Sequence, residues 1–271
     1  MLQFVSLAHF VLFAVLLAIP AAVATAVDVA PEAKEVEDCM RKNLPKDTSV
    51  QTVTLRTKDT DGSVKDTRAK IYWRKNDDGF NQARILFSAP DDMRGSGLLL
   101  LERDGANDLF MYLPEYKKVR RVTGHMMSGS MFGTDFTYEQ IERLQGLAKD
   151  AQVKRLPDRN EDATAVYVIE ASPLQKPGET SDLTKVVSFI AKDTCVPAKV
   201  EFYGAGELPT HVMLVDAKRV TKEPSGFVPR RVVMKDVRKG TETELIVDEI
   251  EIGKPLSPKQ FSQSALESEG R

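Results

Sequence analysis

Soft metal ligands are scarce in this chain. Its 271 residues include two cysteines, Cys39 and Cys195, and three histidines, His9, His125 and His211. They stand too far apart for any spaced Cys/His motif, so no metal site is expected. The sequence also lacks a G-x-S-x-G element, a Walker loop and a dinucleotide G-x-G-x-x-G. Hydrolase-elbow, P-loop and dinucleotide chemistries therefore have no anchor, and no cofactor is expected. His125 has no acid at catalytic spacing, and neither it nor His211 assembles with a nucleophile; no catalytic residue and no enzyme activity are expected. An excess of one charge is missing too. There are 38 Lys+Arg against 40 Asp+Glu, a net charge of -2. That excludes a strongly basic nucleic-acid binder. Charged residues at 29% beside hydrophobic ones at 42% exclude both a disordered chain and a multi-span membrane protein.

Long apolar runs are missing beyond the N-terminus. Residues 10–19 read FVLFAVLLAI, Pro20 breaks the run, and AAVATA follows. Small residues then stand where a signal peptidase needs them, for cleavage after Ala24 or Ala26. The segment before the run has no Lys or Arg. The alternative is an uncleaved anchor, but the run is shorter than the roughly 20 residues that span a bilayer. No Cys stands at the processing site, so no lipid attachment is expected there. Residues 1–26 are read as a signal peptide and 27–271 as a single domain exported to the periplasm. Two cysteines in an oxidising compartment most simply form one Cys39–Cys195 disulfide; the alternative is two separate buried thiols.

The exported part has little helical periodicity. Residues 30–43 (APEAKEVEDCMRKN) predict a short helix, with Val36, Cys39, Met40 and Asn43 near one face. After Pro45 the period becomes two. Ala69, Ile71 and Trp73 alternate with Arg68, Lys70, Tyr72 and Arg74, and Asp61-Gly62 and Asp78-Gly79 mark turns. Residues 97–103 (GLLLLER) are apolar enough for burial on both faces. Residues 125–136 are loop-like, and a helix is expected from about Thr137 to its stop at Gly146. Period two then returns as far as Ile252, and the last residues read as a short helix or a frayed tail. The pattern predicts a mainly β fold with about a dozen regularly spaced strands, a barrel, half-barrel or sandwich.

The segment 112–139 reads YLPEYKKVRRVTGHMMSGSMFGTDFTYE. In it, Tyr112-Leu113-Pro114, Arg120-Arg121, Ser128-Gly129-Ser130, Phe132-Gly133-Thr134-Asp135-Phe136 and Tyr138-Glu139 resemble the LolA-like family of outer-membrane lipoprotein-sorting proteins. Gly95-Ser96-Gly97 and Cys195-Val196-Pro197 fit the same resemblance. It implies a single curved antiparallel sheet, a half-barrel of about 11 strands, with short helices covering the concave face. It also implies a periplasmic carrier that holds lipid or lipoprotein acyl chains and delivers them toward the outer membrane. Its partners would be an inner-membrane transporter and an outer-membrane acceptor, and a monomer is expected. A lipid sensor or adaptor working with an RND-type exporter is the alternative.

The residues supply candidates for such a site. Trp73, Ile85, Phe87, Leu99, Leu101, Phe110 and Tyr112 form the expected inward apolar set, as cavity lining or packed core. Met126, Met127, Met131, Phe132 and Phe136 mix flexible Met and large aromatics with Gly129 and Gly133. They are expected either as a mobile flap at the cavity mouth or as an ordinary core-covering loop. Arg120 and Arg121 are candidates for head-group or partner contact, or for a solvated residue beside a structural ion pair to Asp135 or Glu139.

Overall fold

The computed structural model describes residues 31–46, 48–146, 150–173 and 181–268; the expected signal peptide lies outside them. A helix α1 (Ala33–Arg41) opens the described chain. Six strands follow: β1 (Thr48–Lys58), β2 (Val64–Lys75), β3 (Asn81–Ala89), β4 (Gly97–Leu101), β5 (Asp108–Leu113) and β6 (Lys118–Arg121). Helix α2 (Tyr138–Leu144) precedes β7 (Asp150–Glu161), β8 (Thr164–Pro173), β9 (Lys185–Ala191), β10 (Pro197–Tyr203) and β11 (Pro209–Val215). Then come β12 (Val220–Glu223), β13 (Gly226–Pro229), β14 (Arg231–Asp236), β15 (Thr241–Ile252) and α3 (Gln263–Ser268).

Thirteen strands make one antiparallel sheet in the order β6-β5-β4-β3-β2-β1-β15-β14-β11-β10-β9-β8-β7. The fold is thus the expected single curved antiparallel sheet, left open between β6 and β7. Bulges between Thr52 and Val53, Arg68 and Ala69, and Phe202 and Tyr203 bend it, because each adds an unpaired residue and local twist. The β6 edge carries Lys118, Arg120 and Arg121, charges that discourage pairing with another chain. The strand count exceeds the expected 11, and β12 and β13 form a separate two-stranded hairpin. Sequence reading merged these two into the longer runs 211–220 and 227–238. The available signal was Pro224-Ser225-Gly226, a turn between Val220 and Phe227.

Strand alternation sends two sets of apolar side chains to opposite faces. The larger core lies on the concave face. There Val53, Leu55, Ala69, Ile71, Trp73, Ile85, Phe87, Leu98 and Leu100 pack with residues of β9 to β15. Leu99, Leu101 and Tyr112 point the other way, into a smaller cluster with Phe261 and Leu266, and Phe110 packs at its margin. This corrects the expected inward set: in β4 and β5 the inward residues are Leu98, Leu100, Leu109 and Met111. The run GLLLL is apolar at every position, so its periodicity carries no facing information. The C-terminal helix decides it by covering the convex side. Farther along the convex face, among the described residues, no helix covers the strands. There Arg159 and Lys199 lie over the fully buried Phe189 ring at 4.4 and 4.5 Å, and Lys199 also pairs with Glu161 at 3.3 Å and Glu201 at 2.9 Å.

Leu266 is fully buried, and a Cβ at Gly97 would meet its Cδ1 at 2.7 Å. Leu266→Ala leaves a void over β4 and is expected to cost about 2–5 kcal/mol by urea unfolding. Wild-type stability would mean that α3 does not hold this face.

Candidate functional site

The segment 122–146 leaves one edge of the sheet, and β7 begins at the other. Residues 122–146 lie across the concave face, with Val122, Met131, Phe136, Tyr138 and Ile141 in its core. The turn of this segment uses left-handed backbone at Phe132 (φ 50°) and Gly133 (φ 79°), a conformation that costs a bulky residue such as Phe and needs support. Support comes from both sides of the turn. The Met131 amide donates to the Phe136 carbonyl at 2.7 Å, and the Phe132 ring meets Phe87 edge-on at 4.8 Å. Asp135 fastens the segment to β15. Its carboxylate accepts from the hydroxyls of Thr241 and of Thr243, the latter at 2.7 Å, while its amide donates back to Thr243 Oγ1 at 2.9 Å. Thr57 completes the cluster at 3.0 Å from Thr243, and since Thr243 gives its proton to Asp135, Thr57 is the donor. Thr137 then starts α2 with a reciprocal capping box to Gln140.

Met131 (1% exposed) and Phe136 (0%) are therefore core residues, with Phe132 and Met127 packed against them. Phe87, Met131, Phe132 and Phe136 come together as a plug over β2 to β5. That is the core-covering arrangement, and the placement corrects the expected flap at a cavity mouth; Met126 alone of the five is exposed. A buried loop needs its backbone groups paired, and Asp135 with its threonines is the polar part of that pairing.

The plug covers only part of the concavity. Beside it lies a cavity of about 370 Å³. Its floor comes from β1, β2, β9, β10, β11, β14 and β15, including Ile71, Trp73, Phe202, Met213 and Val247. Its walls are α1 (Met40, Arg41), the end of α2 (Leu144, Gln145) and the hairpin (Phe227, Val228). Of the expected apolar set, Trp73 lines this cavity. Its Nε1 donates to the Gln145 carbonyl at 3.3 Å, tying β2 to the end of α2.

One end of the cavity is closed by contacts among distant segments. Asn43 Nδ2 donates to the Thr194 carbonyl at 2.9 Å, and Asn43 Oδ1 accepts from the Phe227 amide at 2.9 Å. The structure joins Cys39 to Cys195, with their Cα atoms 5.6 Å apart. Two glycines permit the approach. A Cβ on Gly226 would stand 2.7 Å from Asn43 Oδ1, and one on Gly146 would stand 2.6 Å from Leu44 Cδ1. Sequence reading had placed Asn43 on a helix face; its use as a clamp depends on β13 and residue 194, which no local pattern brings near.

The remaining polar candidates stand elsewhere. Arg121 pairs with Asp108 at 2.7 Å and Arg120 lies over the Tyr116 ring at 4.8 Å; neither lines the cavity. The expected ion pair to Asp135 or Glu139 is replaced by these, because β6 is an edge strand beside β5. His211 is buried 3.5 Å from Asp236, outside the cavity lining, and burial pushes its imidazole below the usual range. Burial raises the Glu139 carboxyl above its ordinary value, against the opposing pull of the Ser181 hydroxyl at 2.8 Å and of Arg143. Among the described residues no group of three or more His, Cys, Asp or Glu is arranged to hold a metal, and no helix is long and apolar enough to cross a membrane.

A family model whose description reads "uncharacterized protein" matches residues 79–268. No curated protein matches the chain. Three solved structures share the fold. A DUF1329 family protein from Desulfovibrio piger superposes with a TM-score of 0.78 at 21% identity, covering 88% of this chain and 100% of that one. A putative outer membrane lipoprotein-sorting protein domain from Vibrio parahaemolyticus gives 0.76 at 21% identity, covering 86% and 97%. A LolA superfamily protein from Nitrosomonas europaea gives 0.68 at 18% identity, covering 87% and 100%.

Two measurements check this placement. Met131→Asp buries an unpaired charge and is expected to cost several kcal/mol, about 3 or more, whereas Met126→Asp at the surface stays within about 0.5. Equal melting temperatures for the two would show that Met131 is not core. Glu139 binds its proton more tightly folded than unfolded. Its burial therefore costs nothing in acid, and stability is lost as pH rises from the unfolded value to the folded one. Glu139→Gln, neutral throughout, should gain in melting temperature over wild type at about pH 7 and lose that gain at about pH 4. A difference constant across that range would contradict the raised carboxyl.

Proposed function

The chain belongs to the DUF1329-like family of uncharacterized proteins, and from that premise we propose that it is a non-catalytic periplasmic carrier of a lipid acyl chain. The observation that carries the reading is the cavity itself, about 370 Å³ of mostly apolar space between the sheet and its covering helices. Its size is at the lower end for small-molecule sites, which suits one acyl chain better than several. Burying about ten methylenes at about 0.8 kcal/mol each yields about 8 kcal/mol before ordering costs. That corresponds to micromolar binding or weaker, and a carrier needs reversible loading. Export to the periplasm is supported by the signal-like residues 10–26 and by the paired cysteines. A carrier role, and not an enzymatic one, is supported by the position of the His211–Asp236 pair, buried away from the cavity.

Trp73 is the single tryptophan of the chain and lies in the cavity wall. Methyl stearate brominated at mid-chain should therefore quench its fluorescence saturably, at one molecule per protein, and unlabelled methyl stearate should reverse the quenching. Absence of quenching under conditions where the protein is folded would overturn the carrier reading.

A further inference from the structure

Ser49 stands on β1 and is 1% exposed; Ser225 stands in the turn between β12 and β13 and is 6% exposed. Both line the cavity, and neither hydroxyl has a hydrogen-bond partner among the described residues. A buried hydroxyl without a partner is costly, and apolar side chains of the same size would form a better wall for plain hydrocarbon. Resting on the carrier reading, we propose that the cavity is specific for an acyl chain whose neutral carbonyl, an ester or an amide, is carried inside the protein. Ser49 and Ser225 are the groups that recognise it.

The chemistry matches in three respects. Each serine offers one O–H donor, and a carbonyl oxygen has two lone pairs to receive them. The two serine donors are neutral, so they suit a neutral acceptor. Both hydroxyls are also held in place before any ligand arrives. Ser49 sits between Trp73 and Ile252 in the strand register. Ser225 adjoins Gly226, whose backbone packs on Asn43, and Phe227, whose amide donates to Asn43 Oδ1. Positions fixed in this way lose little freedom on binding. Ser225 belongs to the part of the cavity nearest the Asn43 clamp, and Ser49 stands across from Trp73 on the floor.

The test uses two probes that differ by the ester group alone, hexadecane and methyl hexadecanoate. Each displaces methyl stearate brominated at mid-chain, read by recovery of Trp73 fluorescence. Ser49→Ala and Ser225→Ala should each weaken the methyl ester by about fivefold, the worth of one hydrogen bond. The same variants should leave hexadecane unchanged or bind it more tightly, since the wall has become apolar. Melting temperatures of the unliganded variants should equal or exceed wild type, which separates recognition from unfolding. If ester affinity is unchanged, or if both probes shift alike, the hydroxyls are satisfied by water or serve the fold, and the proposal falls while the carrier reading stands. If neither probe binds the wild-type protein, the carrier reading falls and takes this proposal with it.

Discussion

Because β15 pairs with β1, from Ser49 against Ile252 to Lys58 against Glu242, the first and last strands of the sheet in chain order stand side by side at its middle. Everything between them must then run outward to one edge and return from the other. The strands β1 to β6 run outward by hairpins, and β7 to β11, β14 and β15 return. The link from β6 to β7 has to pass over a face of the sheet, and it takes the concave one. Curvature makes that face the shorter route and lets one segment bury its apolar side against many strands. The plug, helix α2 and the cavity beside them follow from this one pairing.

The two regions of the concave face are fastened by different means. The plug is held by a buried carboxylate, Asp135, which stays inside because the hydroxyls of Thr241 and Thr243 donate to it, while its amide donates to Thr243 Oγ1. Burying that charge without those partners would be prohibitive. The other region is held by the Cys39–Cys195 link across a sequence separation of 156, which in the chain-entropy model removes about 5 kcal/mol of unfolded-state freedom. Asn43 adds direction by bridging Thr194 and Phe227. Covalent and polar ties at its margin let the cavity wall persist without being filled by side chains, which a close-packed interior would otherwise require.

Legibility in the sequence followed the local information each segment carries. Ala69, Ile71 and Trp73 alternate with charged neighbours, so their face was readable, and Trp73 does reach the cavity. Leu98 to Leu101 are all apolar, so the facing of Leu99 and Leu101 rested on whether the C-terminal residues folded back over them. Phe132-Gly133-Thr134-Asp135-Phe136 was readable as a special segment, because Gly, Met and aromatics cluster there. Its burial was not readable, since the partners of Asp135 lie more than a hundred residues away on β15. The two cysteines pointed to each other only because no other partner existed.

Composition, the break at Pro20, period-two patterning and turn residues depend on neighbours within a few positions. On those grounds the sequence by itself determined the class of the molecule: a mainly β chain of short antiparallel strands with two cysteines to pair. Which strands stand next to each other, which face of β4 is inside, where the linking segment lies and how much concavity it leaves open were decided by the tertiary structure. These depend on contacts between residues far apart in the chain, such as Val53 with Val247, Asn43 with Phe227 and Gly97 with Leu266. A hydrophobic side chain specifies that it must be covered and leaves open by what. The covering residue is chosen only when the whole sheet has curved around it.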